Sequence, residues 1–323
     1  MDPIKGLHHV TAVTRDPQRN VDFYRNVLGQ RLVKKTVNFD VSDTYHFYFA
    51  DEIGTPGSVL TFFAWTNTKR GVRGNGETAA LAYNIPQNSL GFWHDYLKSK
   101  DISLQPVEQR FGTDLLSFDD PDGMHVELVT SDAPPAVGYW EEGPIPQLHA
   151  LNGFHGVTLW LDEIEPTADL LIKQMGYRFR GREENRHRFS GEPGTLAHVL
   201  DILHRPRQPE DLPDEAIFGA GSIHHIAFRI PTDEMQLEYQ SGLRAAGYGV
   251  TPVRDRSYFH SIYYHEPGGV LFEIATETPG FAIDEPVEAL GESLKLPEWL
   301  EPNRASIEKS LAPLTLKPIE KIR

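Results

Sequence analysis

The feature that most constrains the fold is a pattern that occurs four times along the 323 residues. Each copy starts with a strand-like segment, continues into a helix-like stretch and ends in an apolar run that follows a Pro-Gly turn signal. The four turn signals are Thr55-Pro56-Gly57, Asp120-Pro121-Asp122-Gly123, Glu192-Pro193-Gly194 and Glu266-Pro267-Gly268-Gly269. The repeating unit is therefore a strand, a helix and several further strands.

The helix in each copy is predicted from apolar spacing and from its C-terminal residue. In the first copy Val21, Tyr24 and Leu28 fall at helical spacing before Gly29, a residue typical of helix C-caps. Equivalent helices are predicted over residues 89–101, 168–176 and 236–247. Asp101 stands in the second copy where the other three copies have glycine.

The chain divides where this pattern is interrupted. A proline-containing stretch over residues 131–146 separates the second and third copies, and the pattern is lost after Thr276, before a tail that begins at Pro279. We therefore predict an N-terminal domain over residues 1–140, a C-terminal domain over 141–278 and a tail over 279–323, with a short helix near 303–311. The glycine-rich loop at 67–77 is either a mobile lid or a plain linker.

Composition excludes several classes of function. The chain has 31 Lys and Arg against 46 Asp and Glu, a net charge of −15, so it should repel nucleic acid and anionic membranes. It contains no cysteine, which rules out disulfides, thiolate metal ligands and a cysteine nucleophile. There is neither an apolar signal core nor a run of roughly 20 apolar residues. We expect a soluble cytoplasmic protein.

Two histidine pairs and one glutamate carry the strongest functional signal. His8-His9 opens the first copy, His224-His225 opens the fourth, and Glu273 lies on the last strand of the fourth. Neighbouring strand residues point to opposite faces, so only one histidine of each pair should face a given cavity. Two imidazoles and one carboxylate leave open positions for substrate and dioxygen and suit non-haem Fe(II). We predict a metal site at His9, His225 and Glu273.

A competing set lies in the second and third copies. It consists of Glu127, His155 and Asp201, which could form a second site, a relic of one, or a polar centre without metal. This set has one imidazole, whereas the first set has two. The count of donors therefore favours the first set.

An ordered series of motifs extends over residues 4–291. The chain resembles the vicinal oxygen chelate superfamily, and within it the hydroquinone-type (para-diol) ring-cleaving dioxygenases. The motifs are Gly-Leu-His-His-Val-Thr at 6–11, Tyr-His-Phe-Tyr-Phe-Ala-Asp-Glu-Ile-Gly-Thr-Pro-Gly at 45–57, Arg-Phe-Gly at 110–112, Asn-Arg-His-Arg-Phe at 185–189, Ile-His-His at 223–225 and Gly-Gly-Val-Leu-Phe-Glu at 268–273. The resemblance implies an α+β fold in which four βαβββ modules pair into cupped mixed β-sheets, as two tandem domains.

The resemblance also implies roles for individual residues. It makes His9, His225 and Glu273 the ligands of Fe(2+), with Mn(2+) as an alternative ion. The substrates it implies are a small aromatic diol and dioxygen, with ring opening beside a hydroxylated carbon. The residues that it places around the metal are His8, Thr11, His224, Arg256 and Tyr263. Of these, His8, His224, Arg256 and Tyr263 are expected to move protons and stabilise developing oxyanions.

Three other functions remain open from the sequence. The first is extradiol cleavage of a catechol, and the second is a glyoxalase-like metal-dependent isomerase or thiol transferase. The third is a binding module without metal. The sequence leaves open the ring substituents of the substrate and the oligomeric state, and it is compatible with a homo-oligomer.

Overall fold

The computed structural model describes residues 2–132, 135, 137–192, 194–207 and 215–322. Pro193 of the third turn signal, and residues 133, 134 and 136 of the predicted inter-domain stretch, lie outside the described residues. The four repeated patterns form four βαβββ modules. The first module consists of β1 (Leu7–Thr14), α1 (Pro17–Asn26), β2 (Arg31–Val37), β3 (Tyr45–Ala50) and β4 (Val59–Ala64).

The other modules follow the same order of elements. The second consists of β5 (Glu77–Pro86), α2 (Leu90–Ser99), β6 (Glu108–Arg110), β7 (Thr113–Asp119) and β8 (His125–Ser131). The third consists of β9 (Phe154–Leu161), α3 (Glu165–Asp169) continued by a π-helix (Leu170–Gln174), β10 (Arg178–Glu183), β11 (Arg186–Ser190) and β12 (Val199–His204). The fourth consists of β13 (Ile223–Ile230), α4 (Asp233–Ala245), β14 (Arg254–Asp255), β15 (Phe259–His265) and β16 (Leu271–Pro279).

The sixteen strands form two eight-stranded sheets that pair modules from the two halves of the chain. The first sheet has the order β14-β15-β16-β13-β1-β4-β3-β2, and the second has the order β10-β11-β12-β9-β5-β8-β7-β6. Antiparallel pairing of β1 with β13 joins the first module to the fourth, and β5 with β9 joins the second to the third. Within each module the first and last strands are parallel. The α+β class and the curled mixed sheets are confirmed.

Local sequence explains where the helices begin and end. Asp16 accepts a hydrogen bond from the Arg19 backbone at the start of α1, as an N-cap aspartate does. Gly29, after this helix, has a φ of +73°, and Asp101, after α2, has a φ of +58°. Asp101 therefore adopts the left-handed conformation that glycine adopts in the other modules, which aspartate tolerates better than most residues.

The hydrophobic core is shared by the helices of all four modules. Buried side chains from these helices and from both sheets form one cluster. The principal helical contributors are Val21, Tyr24, Trp93, Leu97, Leu170, Leu171, Tyr239 and Leu243. Among the described residues, no helix is long and apolar enough to cross a membrane.

The tail packs on the first module. It contains the short helix α5 (Arg304–Ser310), close to the predicted position. Lys34 of β2 is fully buried, and its Nζ lies 2.5 Å from both Asp284 Oδ1 and Glu285 Oε2. Further along, Gln18 of α1 exchanges two hydrogen bonds with the backbone of Thr315. The tail is therefore integrated into the body of the protein.

The glycine-rich loop at 67–77 is hydrogen-bonded to the segment before β13. The backbones of Val72 and Ile217 exchange two hydrogen bonds, of 2.8 and 2.9 Å. Gly71 N donates to Ala220 O at 2.9 Å. The loop links β4 of the first sheet to β5 of the second, and these contacts hold it beside β13.

Candidate metal centre

Three neighbouring strands of the first sheet bring the predicted metal ligands together. His9 lies on β1, His225 on β13 and Glu273 on β16, and these strands are adjacent in the order β16-β13-β1. All three side chains are buried, and one donor atom of each lies within 4.8 Å of the others. Glu273 Oε2 is 2.9 Å from His225 Nε2 and 3.4 Å from His9 Nε2. In the described part of the chain, this is the one group of three or more such donors.

The hydrogen bonds around these residues leave their converging atoms available. His8 Nδ1 is 2.9 Å from His9 Nδ1, and His224 Nδ1 is 2.7 Å from His225 Nδ1. If each ligand histidine donates from Nδ1, its Nε2 carries a lone pair, as metal binding requires. With His8 and His224 as the acceptors of these hydrogen bonds, each neighbouring ligand histidine is held in the tautomer that can bind a metal.

The carboxylate supports the same interpretation. Ser261 donates to Glu273 Oε1, whereas Oε2 is buried and faces the Nε2 atoms of His9 and His225, so it has no hydrogen-bond donor among the described residues when both Nε2 atoms carry lone pairs. Burial alone would raise the pKa of Glu273, but His9 and His225 hold that pKa well below its usual range. A cation at the meeting point of the three donors would satisfy Oε2 and both Nε2 lone pairs. The residues present therefore fit a divalent metal.

A cavity of about 330 Å³ opens above these residues. Arg256 and Tyr263 form one side of it, where Arg256 Nε donates to Tyr263 Oη at 3.1 Å and Arg256 Nη1 lies 3.2 Å from Asp40 Oδ2. Burial raises the pKa of Tyr263, so its phenol stays protonated at neutral pH. Aromatic and aliphatic side chains also line it: Phe39, Phe63, Trp65, Phe259 and Leu271.

The structure places the remaining predicted residues around this cavity in different ways. Thr11, Arg256, Tyr263 and His224 border it, whereas His8 is buried behind His9. The expectation that only one histidine of each pair faces the cavity is wrong for the fourth module. The His224 ring contacts its neighbour's ring edge to face, and burial lowers the pKa of His224 to about 3.

Sequence reasoning missed His46 and Tyr48 of β3, which both border the cavity. His46 Nδ1 is 3.0 Å from Tyr48 Oη, and His46 Nε2 is 2.9 Å from Thr61 Oγ1. Their spacing of two residues on a strand places both side chains on one face. That alternation in Tyr-His-Phe-Tyr at 45–48 is the signal that could have identified them.

The competing set does not form a converging group of donors. Asp201 accepts hydrogen bonds from Arg188 Nε at 2.8 Å and Nη2 at 2.9 Å, and Glu127 accepts one from Arg110 at 2.5 Å. Burial lowers the pKa of His155 to about 4. The space enclosed by this set is about 10 Å³, which is roughly one water molecule. Arginine guanidinium groups take the counter-charge role that a metal would have.

Strand register explains why the competing set has no second ligand histidine. The two parallel pairs to compare are β9–β12, which carries Asp201, and β13–β16, which carries Glu273. In both pairs the carboxylate residue lies opposite the residue two places after the ligand position on the first strand. That ligand position is His225 in the fourth module but Gly156 in the third, where a Cβ would lie 2.0 Å from Val199 O. His155 therefore corresponds to His224, not to a ligand.

The fold and the site together define a protein of the vicinal oxygen chelate type, with a candidate metal centre on the concave face of a curled sheet. The family model of the glyoxalase/bleomycin resistance protein/dioxygenase superfamily matches residues 6–128 and 153–274, as two tandem domains. The chain belongs to this superfamily.

Individual relatives within the superfamily extend over nearly the whole chain. MhqO of Bacillus subtilis, named as a candidate ring-cleaving dioxygenase, is 43% identical over 98% of this chain and 98% of its own length. The chlorohydroquinone/hydroquinone 1,2-dioxygenase of Sphingobium indicum is 35% identical over 92% of this chain and 93% of its own length. A crystal structure titled as a candidate dioxygenase from Bacillus subtilis superposes with a TM-score of 0.92 at 41% identity, over 99% of this chain and 100% of that one.

Proposed function

We propose that this chain is a metal-dependent dioxygenase that opens the ring of a hydroquinone beside one hydroxylated carbon. The observation that carries the proposal is the meeting of His9, His225 and Glu273 beside a cavity of about 330 Å³ that the two histidines line. A cavity of this size lies in the range of small-molecule sites. Relatives that match over more than nine-tenths of their lengths are named for the same class of reaction.

The donor set favours Fe(2+), with Mn(2+) as the alternative, because two imidazoles and one carboxylate leave open positions. Such an ion, when bound, supplies a Lewis acid that lowers the pKa of a phenol and brings two reactants into one coordination sphere. In the proposed site, His8 and His224 orient the ligand histidines through their Nδ1 atoms.

Side chains on the cavity wall would position the diol. Tyr263 keeps its phenolic hydrogen and receives the Arg256 Nε–H on its oxygen, so its own hydrogen is available to a substrate oxygen. Arg256 adds positive charge beside any oxyanion that develops. Phe63 and Trp65 have stacked rings 5.6 Å apart, and this apolar wall can cover an aromatic ring and exclude water.

The test is anaerobic reconstitution with Fe(II), followed by oxygen uptake with methylhydroquinone and catechol side by side. We expect uptake with methylhydroquinone, loss of uptake in His225→Ala, and retained uptake in His155→Ala, which removes a histidine outside the site. Preferential uptake with catechol would indicate an extradiol enzyme. Absence of uptake with both diols, together with turnover of the hemithioacetal of methylglyoxal, would replace the proposal with a glyoxalase-like activity.

Other expectations stay predictions. They are the division at residues 140 and 278, the cytoplasmic location and the lack of nucleic-acid or membrane partners. The two ranges matched by the family model lie within the first two predicted units. Those two units share both sheets through the β1–β13 and β5–β9 pairs.

A further inference from the structure

Four side chains on the concave face of the first sheet form a continuous hydrogen-bonded line that the proposed reaction does not yet use. They are Tyr48, His46, Thr61 and Thr11. The distances are 3.0 Å from Tyr48 Oη to His46 Nδ1, 2.9 Å from His46 Nε2 to Thr61 Oγ1, and 2.8 Å from Thr61 Oγ1 to Thr11 Oγ1. Strand register produces this line, because Thr61 pairs with Tyr48 on one side and with Thr11 on the other.

The direction of the first hydrogen bond follows from the burial of Tyr48, which is 1% exposed. The described residues offer its phenolic hydrogen a single partner, the Nδ1 atom of His46. If His46 donated instead, the Tyr48 O–H would have no acceptor among the described residues and would have to turn toward the cavity, at a cost of up to about 1–3 kcal/mol. Tyr48 is therefore the donor and His46 Nδ1 the acceptor.

The rest of the line takes the same direction. Burial lowers the pKa of His46 well below its ordinary value, so the ring is neutral and carries its single hydrogen on Nε2. That hydrogen is donated to Thr61, which is fully buried and whose own hydroxyl hydrogen can reach only Thr11 among the described residues. Thr11 then accepts from Thr61, and its own hydrogen is left without an acceptor in the described structure.

We propose that Tyr48, His46 and Thr61 form a one-way hydrogen-bond relay that presents the Thr11 hydroxyl as a donor to an anionic oxygen bound at the metal centre. Thr11 borders the cavity, lies two residues after His9 on the same face of β1, and is the cross-strand partner of His225. In this scheme His46 and Tyr48 are positioning residues that act through Thr11. The inference rests on the proposed function in one respect, that the anion is an ionised hydroquinone oxygen.

The relay has a chemical consequence at the site. A hydroxyl that can rotate freely in a cavity spends part of its time as an acceptor, which would repel an anion. Because Thr61 occupies a lone pair of the Thr11 oxygen, the Thr11 hydrogen is directed away from Thr61 and toward the bound ligand. A fixed donor of this kind favours the ionised phenol over the neutral one without reorganisation of the site.

The first test reads the hydrogen position directly and needs no catalysis. Side-chain ¹⁵N NMR on metal-free and Zn²⁺-loaded protein, with the His46 signals assigned by their loss in His46→Gln, should show hydrogen on Nε2 and a bare Nδ1. In Tyr48→Phe the preference for this tautomer should weaken. Hydrogen on Nδ1 in the unmodified protein would overturn the relay.

The second test measures binding of an anion to the Zn²⁺-loaded protein. The probe is 4-nitrophenol, whose ionised form is coloured, titrated across a range of pH. Loss of one charge-assisted hydrogen bond should weaken binding of the ionised form about tenfold in Thr11→Val, and about threefold in Thr61→Val and Tyr48→Phe, whereas Thr11→Ser should restore it. The apparent pKa of the bound phenol should rise in the same order.

The matched control is Thr36→Val. Thr36 is also fully buried and is the cross-strand partner of His46, but its Oγ1 makes no hydrogen bond in the described structure. Equal losses in Thr36→Val and Thr61→Val, or unchanged binding in both Thr61→Val and Tyr48→Phe, would overturn the inference. If Thr61→Val does not fold, Tyr48→Phe decides. The relay and the proposed function can fail separately. If the Zn²⁺-loaded protein shows the relay but the Fe(II)-loaded protein consumes no oxygen, the proposed function is rejected and the relay is not.

Discussion

Replacing Lys34 with methionine is expected to destabilise the protein by about 3–5 kcal/mol, the cost of leaving a buried charge unpaired. Lys34 is fully buried, with its Nζ 2.5 Å from one carboxylate oxygen of Asp284 and one of Glu285, and 5.0 Å from the centre of the Tyr258 ring. Asp284 is 34% exposed and can be rehydrated, whereas Glu285 is 3% exposed. Most of the cost should therefore come from Glu285.

The assay is urea unfolding at neutral pH, because guanidinium chloride would screen the charges under test. Lys34→Met should lower the unfolding midpoint without changing the slope. Adding Glu285→Gln to Lys34→Met should recover most of the loss, since it neutralises the unpaired carboxylate. Lys100→Met serves as the control at an exposed lysine and should change stability by less than about 0.5 kcal/mol.

Two results would refute this reasoning. A loss below about 1 kcal/mol in Lys34→Met would mean that water reaches Glu285 and that the tail does not seal this end of the sheet. Ser293 donates a hydrogen bond to the Glu285 carboxylate at 2.9 Å. Further destabilisation when Glu285→Gln is added would mean that this hydrogen bond contributes more to stability than the pairing of Glu285 with Lys34. Either outcome would remove the charge argument for an integrated tail.

Three further predictions concern the two sheets. Glu273→Gln should lower affinity for Zn²⁺ by more than the roughly 10–100-fold that loss of a residue hydrogen-bonded to a ligand costs, because it keeps the size of the ligand and removes its charge; a chelator competition assay measures this. His155 has a pKa of about 4 in the folded protein against 6.5 in its ordinary state, so the unfolded chain binds more protons. Stability should therefore fall by up to about 3 kcal/mol as pH drops from 6.5 to 4, and His155→Gln should flatten this dependence in urea titrations at several pH values. Gly156→Ala should destabilise the protein by about 1–3 kcal/mol in the same unfolding assay, because its Cβ would lie 2.0 Å from Val199 O.

The local and repetitive features of this chain could be predicted from its sequence. The four modules follow from recurring turn and helix signals, and the resemblance to a known family supplied the cupped shape of the sheets. Asp101 could be recognised as a substitute for glycine because it stands at the same place in the repeat. The set of His9, His225 and Glu273 stood out because it gathers two imidazoles and one carboxylate at strand positions of the repeat.

Features that depend on long-range register could not be predicted. The turn signals near 193 and 268 align the third and fourth modules only approximately. They do not indicate whether His155 is equivalent to the ligand His225 or to His224, and a shift of one residue in the alignment changes the assignment. The relay through His46 was missed because its partners lie on two other strands, at Thr61 and Thr11, that only the assembled sheet brings together. The burial of Lys34 by the tail likewise depends on a contact across 250 residues.

The difference between the two sheets gives a final prediction about the metal itself. A buried carboxylate needs a counter-charge. Asp201 obtains it from Arg188, whereas Glu273 faces two imidazoles whose Nε2 atoms supply lone pairs when the ligand tautomer is present. A cation from solution would supply the missing charge, so a divalent ion should stabilise the folded chain by about 4 kcal/mol at a thousand times its dissociation constant. Thermal unfolding with and without Zn²⁺ measures this stabilisation. Glu273→Gln should lose most of it, whereas His155→Ala should keep it. Equal stabilisation of the unmodified protein and both variants would place the ion elsewhere.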